Sequence, residues 1–195
     1  MKKLLSILLA AIFATGGLMA QEKSKSLVVY FSLAGEQYAV GNITEGNTSI
    51  VAKMIAQETG ADLFELETVK TYPTDNHRKL VDEAKTEQSK KARPALKKTP
   101  DISAYDTIYI GYPNWWGDMP MCIYTFIESQ NWSGKTIVPF CTHEGSGLSG
   151  TESTIRSICK GATVAKGFAV QGKTAQNNRT PARKAVQDWL KKIGK

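Results

Sequence analysis

Cysteine is scarce and poorly spaced for metal or disulfide chemistry. Cys122, Cys141 and Cys159 make an odd number, with no CxxC and no paired metal-ligand spacing. Each lies in or at the end of an apolar stretch, so all three read as buried, reduced thiols, and no metal site is expected. Long hydrophobic runs are lacking beyond the amino terminus. There, the basic Met1-Lys2-Lys3 leads into apolar Leu4 to Phe13 and then Ala14-Thr15-Gly16-Gly17, the layout of a secretory signal. That apolar core is shorter than the ~20 helical residues a membrane span requires. The expectation is cleavage after Ala20, with residues 1–20 as leader, residues 21–195 as one exported, periplasmic domain, and no permanent membrane span. With no cysteine near the processing site, a lipid anchor has no attachment point.

Stacking aromatics interleaved with basic residues, the usual mark of a nucleic-acid groove, are also missing. The chain carries a net charge of +7, which drops by two to +5 once Lys2 and Lys3 leave with the leader. Much of the excess lies between Lys70 and Lys98 and in the tail Lys191, Lys192 and Lys195. It reads as a solvated basic surface that would suit an acidic protein partner or an anionic membrane face, and no nucleic-acid partner is expected.

What is present is an alternation of strands and helices. Leu27-Val28-Val29-Tyr30-Phe31 is a continuous apolar run, the pattern of a strand covered on both faces. Ile50, Val51, Met54 and Ile55 then mark one helix face that should stop at Gly60. Further strands are expected over 62–67, 107–111, 136–141 and 163–170, the last broken at Gly167, with helices over 121–129 and 151–159. The final helix carries Ala182, Ala185, Val186, Trp189, Leu190 and Ile193 on one stripe, with Thr180 as its N-cap and Pro181 at its first position. Between Thr68 and Pro100 the chain is long and charged, and a surface helix over 75–88 is expected there. The fold class is therefore α/β, a doubly wound five-stranded parallel sheet of order 2-1-3-4-5 with helices on both faces. In such sheets ligands bind outside the carboxyl ends of the strands.

Three loops at those ends are chemically unusual. The first ends in Gly46-Asn47-Thr48-Ser49 just before a helix, where free backbone N–H groups and the positive end of the helix dipole suit a phosphate; the same residues also suit an ordinary helix cap. The second, Tyr112-Pro113-Asn114-Trp115-Trp116-Gly117-Asp118-Met119-Pro120, offers flat side chains stiffened by prolines as a wall for a planar ring, or as a cap on the core. The third, Thr142-His143-Glu144-Gly145-Ser146-Gly147-Leu148-Ser149-Gly150, contains a literal GxGxxG. A dinucleotide fingerprint would follow the first strand and have an acid about 20 residues on. This one follows the fourth strand, and residues 161–178 contain no Asp or Glu, so its glycines read as backbone that can approach a ligand closely. His143 and Glu144 are candidates for proton transfer.

The run 28–32, the Gly46-Asn47-Thr48 turn, the stretch 111–120 and the stretch 139–147 together resemble the flavodoxin family, in particular its exported bacterial members, over essentially all of the chain after the leader. The resemblance implies non-covalent FMN, with Ser32, Asn47 and Thr48 on the phosphate and Trp115 or Trp116 on the isoalloxazine ring. The backbone from Thr142 through Gly145 to Gly147 would meet the ring's polar edge. It also implies electron transfer, with a redox partner protein or a small acceptor such as a quinone, and chemistry that belongs to the cofactor. The chain departs from the family pattern by the insertion Ala34 to Glu45, which brings Glu36, Gln37 and Tyr38 either over the ligand or onto a partner surface.

Overall fold

Leu27 to Tyr30 form the centre of strand β1 (Ser26–Tyr30), and all four are buried, as a strand covered on both faces requires. The computed structural model describes residues 25–195; the expected leader lies outside the described residues. β1 pairs in parallel with β4 (Asp62–Glu65) on one side and β5 (Thr107–Pro113) on the other. β5 in turn pairs in parallel with β6 (Thr136–His143). β7 (Thr163–Val164) and β8 (Phe168–Gln171) both lie along β6, so the order β4-β1-β5-β6 with β7 and β8 outermost is the expected 2-1-3-4-5.

The fifth strand position is divided. Ile137 pairs with Val164 but Phe140 pairs with Phe168, so the outer strand carries one extra residue across the break. The interruption falls beside Pro139, which has no N–H to contribute to a ladder. The freed Gly167 N–H donates instead to Glu152 Oε1 at 2.7 Å. β5 and β6 run two residues further than periodicity indicates, which makes Tyr112, Pro113, Thr142 and His143 strand residues rather than loop residues.

Helices cover both faces. α1 (Asn47–Thr59) ends at Gly60, whose left-handed φ of 71° lets its N–H return to Ala56 O. It packs with α5 (Gly172–Asn177) and α6 (Arg179–Lys192) over Val28, Tyr30, Tyr109, Val138 and Phe140. On the other face α2 (His77–Ser89), α3 (Met121–Glu128) and α4 (Thr151–Ile158) cover Leu27, Val29, Phe31, Ile108 and Ile110. The three cysteines are buried and unbonded, and burial pushes the Cys141 and Cys159 thiols up to about 12.

Two local expectations are corrected. α2 begins at His77 rather than 75, because the Asn76 side chain accepts from Lys79 N at 3.0 Å and caps it. α6 begins at Arg179, not at Pro181, because α5 delivers the chain to Asn178. Pro181 is then the third helical residue, still within the turn where a missing N–H costs little. The inserted segment forms a hairpin of β2 (Gly35–Gln37) and β3 (Gly41–Ile43), separate from the main sheet. The hairpin is docked by Glu36 N to Thr74 O at 2.7 Å. Gly35, at φ 92°, lies so close that a Cβ would stand 2.2 Å from that same carbonyl.

Gly111 is where the two central strands fit most tightly, since a Cβ there would stand 2.0 Å from the fully buried Phe140 ring. Gly111→Ala should destabilise the protein by about 1–3 kcal/mol, and Phe140→Leu should offset part of that loss in the double variant. Urea unfolding of the four proteins measures this, and additive losses would contradict it.

Candidate functional site

At the carboxyl ends of β1, β5 and β6 lies a cavity of about 300 Å³, reached by α1 from one face of the sheet and α2 from the other. Its size falls at the lower end of the range for one small-molecule ligand. α1 enters it through Asn47. Gly46, in extended conformation, precedes that helix with no side-chain cap of its own. The Ser32 hydroxyl, at the end of β1, accepts from Ser49 N at 3.1 Å and supplies the cap from across the fold. The N–H groups of Gly46, Asn47 and Thr48 keep no intrahelical partner, and the first turn holds no acid to neutralise the positive dipole end. Neighbouring Glu45 is paired with Lys53 at 2.7 Å and Arg179 at 3.2 Å. Burial works to raise its pKa, but those two cations hold it below the ordinary carboxylate range, so its charge is balanced locally.

Of the residues expected at the phosphate, only Asn47 lines the cavity. Ser32, Thr48 and Ser49 are buried, and two of their hydroxyls are engaged in the frame. Thr48 Oγ1 shares a 2.7 Å hydrogen bond with Thr142 Oγ1, joining α1 to β6, and Ser32 caps α1. Gly46 is packed against Ser32, where a Cβ would stand 2.2 Å from the hydroxyl oxygen. A phosphate at this end would therefore be held by backbone N–H groups and Asn47 rather than by a row of hydroxyls.

The second loop is a tight turn in which Trp115 and Asp118 exchange backbone hydrogen bonds of 2.9 and 3.1 Å. Trp116 and Gly117 take left-handed φ of 54° and 76° at its tip. Both tryptophans, with Pro113 and Asn114, line the cavity. Trp115 stands edge-on to Phe31 and Tyr72, at 5.5 and 5.3 Å, and is braced by the core. Trp116 is 51% exposed, donates from Nε1 to Val81 O at 3.1 Å and carries Lys85 Nζ 4.8 Å over its ring. Asn114 is the brace between the second and third loops. Its Nδ2 donates to Gly147 O and Ser149 Oγ, its Oδ1 accepts from Gly117 N, and its N–H reaches Thr142 O.

From the third loop, Thr142, His143, Glu144 and Ser146 line the cavity, while Gly145 and Gly147, at φ 141° and 60°, make the bends between them. His143 Nδ1 accepts from Gly145 N at 2.8 Å. Glu144 Oε1 accepts from Lys173 N at 2.8 Å, which anchors the loop to the start of α5. Gly172 makes that approach possible, because a Cβ there would stand 2.2 Å from Asn47 Nδ2 and 2.9 Å from Glu144 Oε1.

The remaining wall comes from the inserted hairpin, through Gln37 and Tyr38, and from α2, through His77, Leu80, Val81 and Ala84. The sequence offered the insertion either as a cover over the ligand or as a partner surface, and the helix expected over 75–88 gave no sign of a place at the site, because its apolar positions are few. Among the described residues, two buried side-chain polar atoms lack any hydrogen-bond partner, Asn47 Oδ1 and His77 Nδ1, and both residues line this cavity. Leaving such an atom unpaired costs about 1–3 kcal/mol, and a bound molecule would remove that cost. A flavin mononucleotide fits the donor set: backbone N–H groups for a phosphate, an acceptor on Asn47 for a ribityl hydroxyl, and indole faces for the ring.

Burial lowers the His143 pKa, with the Glu144 carboxylate pulling it the other way. A depressed folded value means that the unfolded chain takes up its proton first. The stability tied to neutral His143 is full above the ordinary 6.5 and is lost as pH falls below it. His143→Gln should narrow the gap between urea midpoints at about pH 7.5 and about pH 5.5, and an unchanged gap would contradict this.

Comparison with known proteins agrees with this geometry. The sequence model of the flavodoxin family matches residues 25–193. A solved structure assigned as a flavoprotein from Bacteroides uniformis is 31% identical, covering 86% of this chain and 98% of its own, with a TM-score of 0.67. One from Bacteroides eggerthii, assigned likewise, is 29% identical over 89% of this chain and 99% of its own, with a TM-score of 0.69. A Lactobacillus acidophilus flavoprotein, solved in complex with FMN, is 25% identical over 78% of this chain and 95% of its own, with a TM-score of 0.60. No functionally curated protein matches the chain. The strand order, the three loops at one edge of the sheet and the match across nearly all of the described residues lead to one assignment: the chain belongs to the flavodoxin family.

Proposed function

We propose that this protein binds FMN non-covalently in the cavity at the ends of β1, β5 and β6 and serves as an electron-transfer protein of the cell envelope. The observation that carries the reading is the convergence, in one cavity, of the start of α1 at Asn47 with its free backbone N–H groups, two indoles at Trp115 and Trp116, and the segment from Thr142 to Ser146. Bound FMN would supply one- and two-electron chemistry, and the protein would set its potential through contacts and charge. Support for FMN also comes from the L. acidophilus relative solved with that nucleotide. The cell-envelope location rests on the leader-like residues 1–20, and the redox partner on the basic surface charge, which favours an acidic protein.

Within this arrangement each part of the chain has a task. Trp115, braced by Phe31 and Tyr72, would hold one face of the ring in place. Exposed Trp116 and Tyr38, 68% exposed, flank the mouth where electrons would leave. A second reading, an FMN-dependent reductase of a quinone or similar acceptor, is favoured by His143. Burial favours the neutral form of that imidazole at the cavity wall, where it would exchange a proton with a reduced acceptor.

Purified protein should take up one FMN, seen as quenched flavin emission, and bind it at least about ten-fold more tightly than riboflavin because of the phosphate at α1. Asn47→Ala should weaken FMN by roughly ten-fold. Equal affinity for the two flavins would remove the phosphate assignment, and no uptake would remove the function. Rapid one-electron exchange with slow NAD(P)H-driven quinone turnover favours the carrier; fast turnover that His143→Gln abolishes favours the reductase.

A further inference from the structure

The two unpartnered buried atoms belong to helices on opposite faces of the sheet, Asn47 on α1 and His77 on α2, yet both residues line one cavity. At about 300 Å³ that cavity has room for one ligand rather than two, so one molecule seated there would lie against both residues. Asn47 lies at the helix start assigned above to the phosphate and ribityl end. His77 then meets another part of the same molecule.

His77 is held in place by the inserted hairpin. Its backbone N–H donates to Glu36 Oε2 at 3.0 Å, which holds the main chain, and its ring lies stacked on Tyr38, with centroids 6.1 Å apart and planes 24° apart. Glu36 and Tyr38 are fixed in turn by the close approach of Gly35 to Thr74. These contacts orient the imidazole but leave Nδ1 enclosed and without a partner. Either neutral tautomer of that nitrogen has an unmet need, for an acceptor if protonated and for a donor if not. The edge of an isoalloxazine offers both kinds of group, and His77 lies on the ring side of the cavity: Val81, one turn further along α2, accepts at its carbonyl from Trp116 Nε1, an indole assigned above to the ring.

We propose that His77 is a ring-recognition residue, its Nδ1 hydrogen-bonding the polar edge of the bound flavin, with Tyr38 stacked behind it as the backing of that wall. The insertion 34–45 thus completes the ring site from the side of α2. This rests on the FMN reading above.

Three proteins test it: the unchanged chain, His77→Phe, which keeps an aromatic against Tyr38 but removes the nitrogens, and His77→Asn, which returns an amide near the position of Nδ1. Each is stripped of flavin and measured twice, for thermal stability alone and for FMN affinity by emission quenching. His77→Phe should leave the flavin-free stability equal or higher, since an unpaired buried atom is gone, while weakening FMN about ten-fold; His77→Asn should recover most of the affinity. A merely structural role would lower stability and affinity together. That result, unchanged FMN affinity in His77→Phe, or failure of His77→Asn to recover it would overturn the proposal. No uptake by the unchanged chain would overturn both this inference and the FMN reading, whereas uptake without a His77 effect leaves the FMN reading standing.

Discussion

The buried hydrogen bond between Thr48 and Thr142, 2.7 Å long, joins the first turn of α1 to the end of β6 beside the cavity. Much else is referred to that link. Ser32 caps α1 from β1, Asn114 draws the second loop onto Thr142 and Gly147, and Glu144 ties the third loop to α5. Three strand ends and two helix starts are thereby fixed relative to one another by short hydrogen bonds, several of them shielded from water, where such bonds are strongest. The cavity is preorganised because its polar groups are mostly spent on one another. Among the described residues, the buried side-chain atoms that are not, Asn47 Oδ1 and His77 Nδ1, both belong to residues lining the cavity.

This division of roles alters the meaning of the hydroxyl-rich turn at 46–49. Sequence alone offers each side chain there as a phosphate contact or as a cap, and only packing separates the two. Thr48 and Ser32 hold the helix start in place, and the helix start, through its backbone, would present the proposed anion site. The same holds in the second loop, where Asn114 is saturated by Gly117, Gly147 and Ser149 and acts as a brace, leaving the indoles as the ligand-facing surface. Removing a bracing residue would misplace the site without removing any group that touches a ligand.

The strand order, the two-sided helix cover and the edge of the sheet that carries the site follow from features local in sequence. Leu27 to Phe31 and Ile108 to Ile110 are continuous apolar runs, and α1 and α6 show clean stripes. What sequence could not show depends on tertiary approach. α2 looks like a solvated helix because only Leu80 and Ala84 are buried, yet the hairpin presses its first turn against the cavity. α5 carries no periodic signal and exists because Gly172 admits Asn47 and Glu144 beside it. The break in the fifth strand is readable as Gly167, but its cause lies on the neighbouring strand, at Pro139.

One bound FMN would engage all three strand-end loops and the hairpin wall at once. Amide hydrogen exchange on flavin-free protein, with and without saturating FMN, tests this most directly. Added protection should appear simultaneously at Asn47 to Ser49, at Asn114 to Trp116, at His143 to Ser146 and at Gln37 to Tyr38, with little change along β4 or α6. Protection confined to one of these segments, or centred away from the carboxyl ends of β1, β5 and β6, would contradict it.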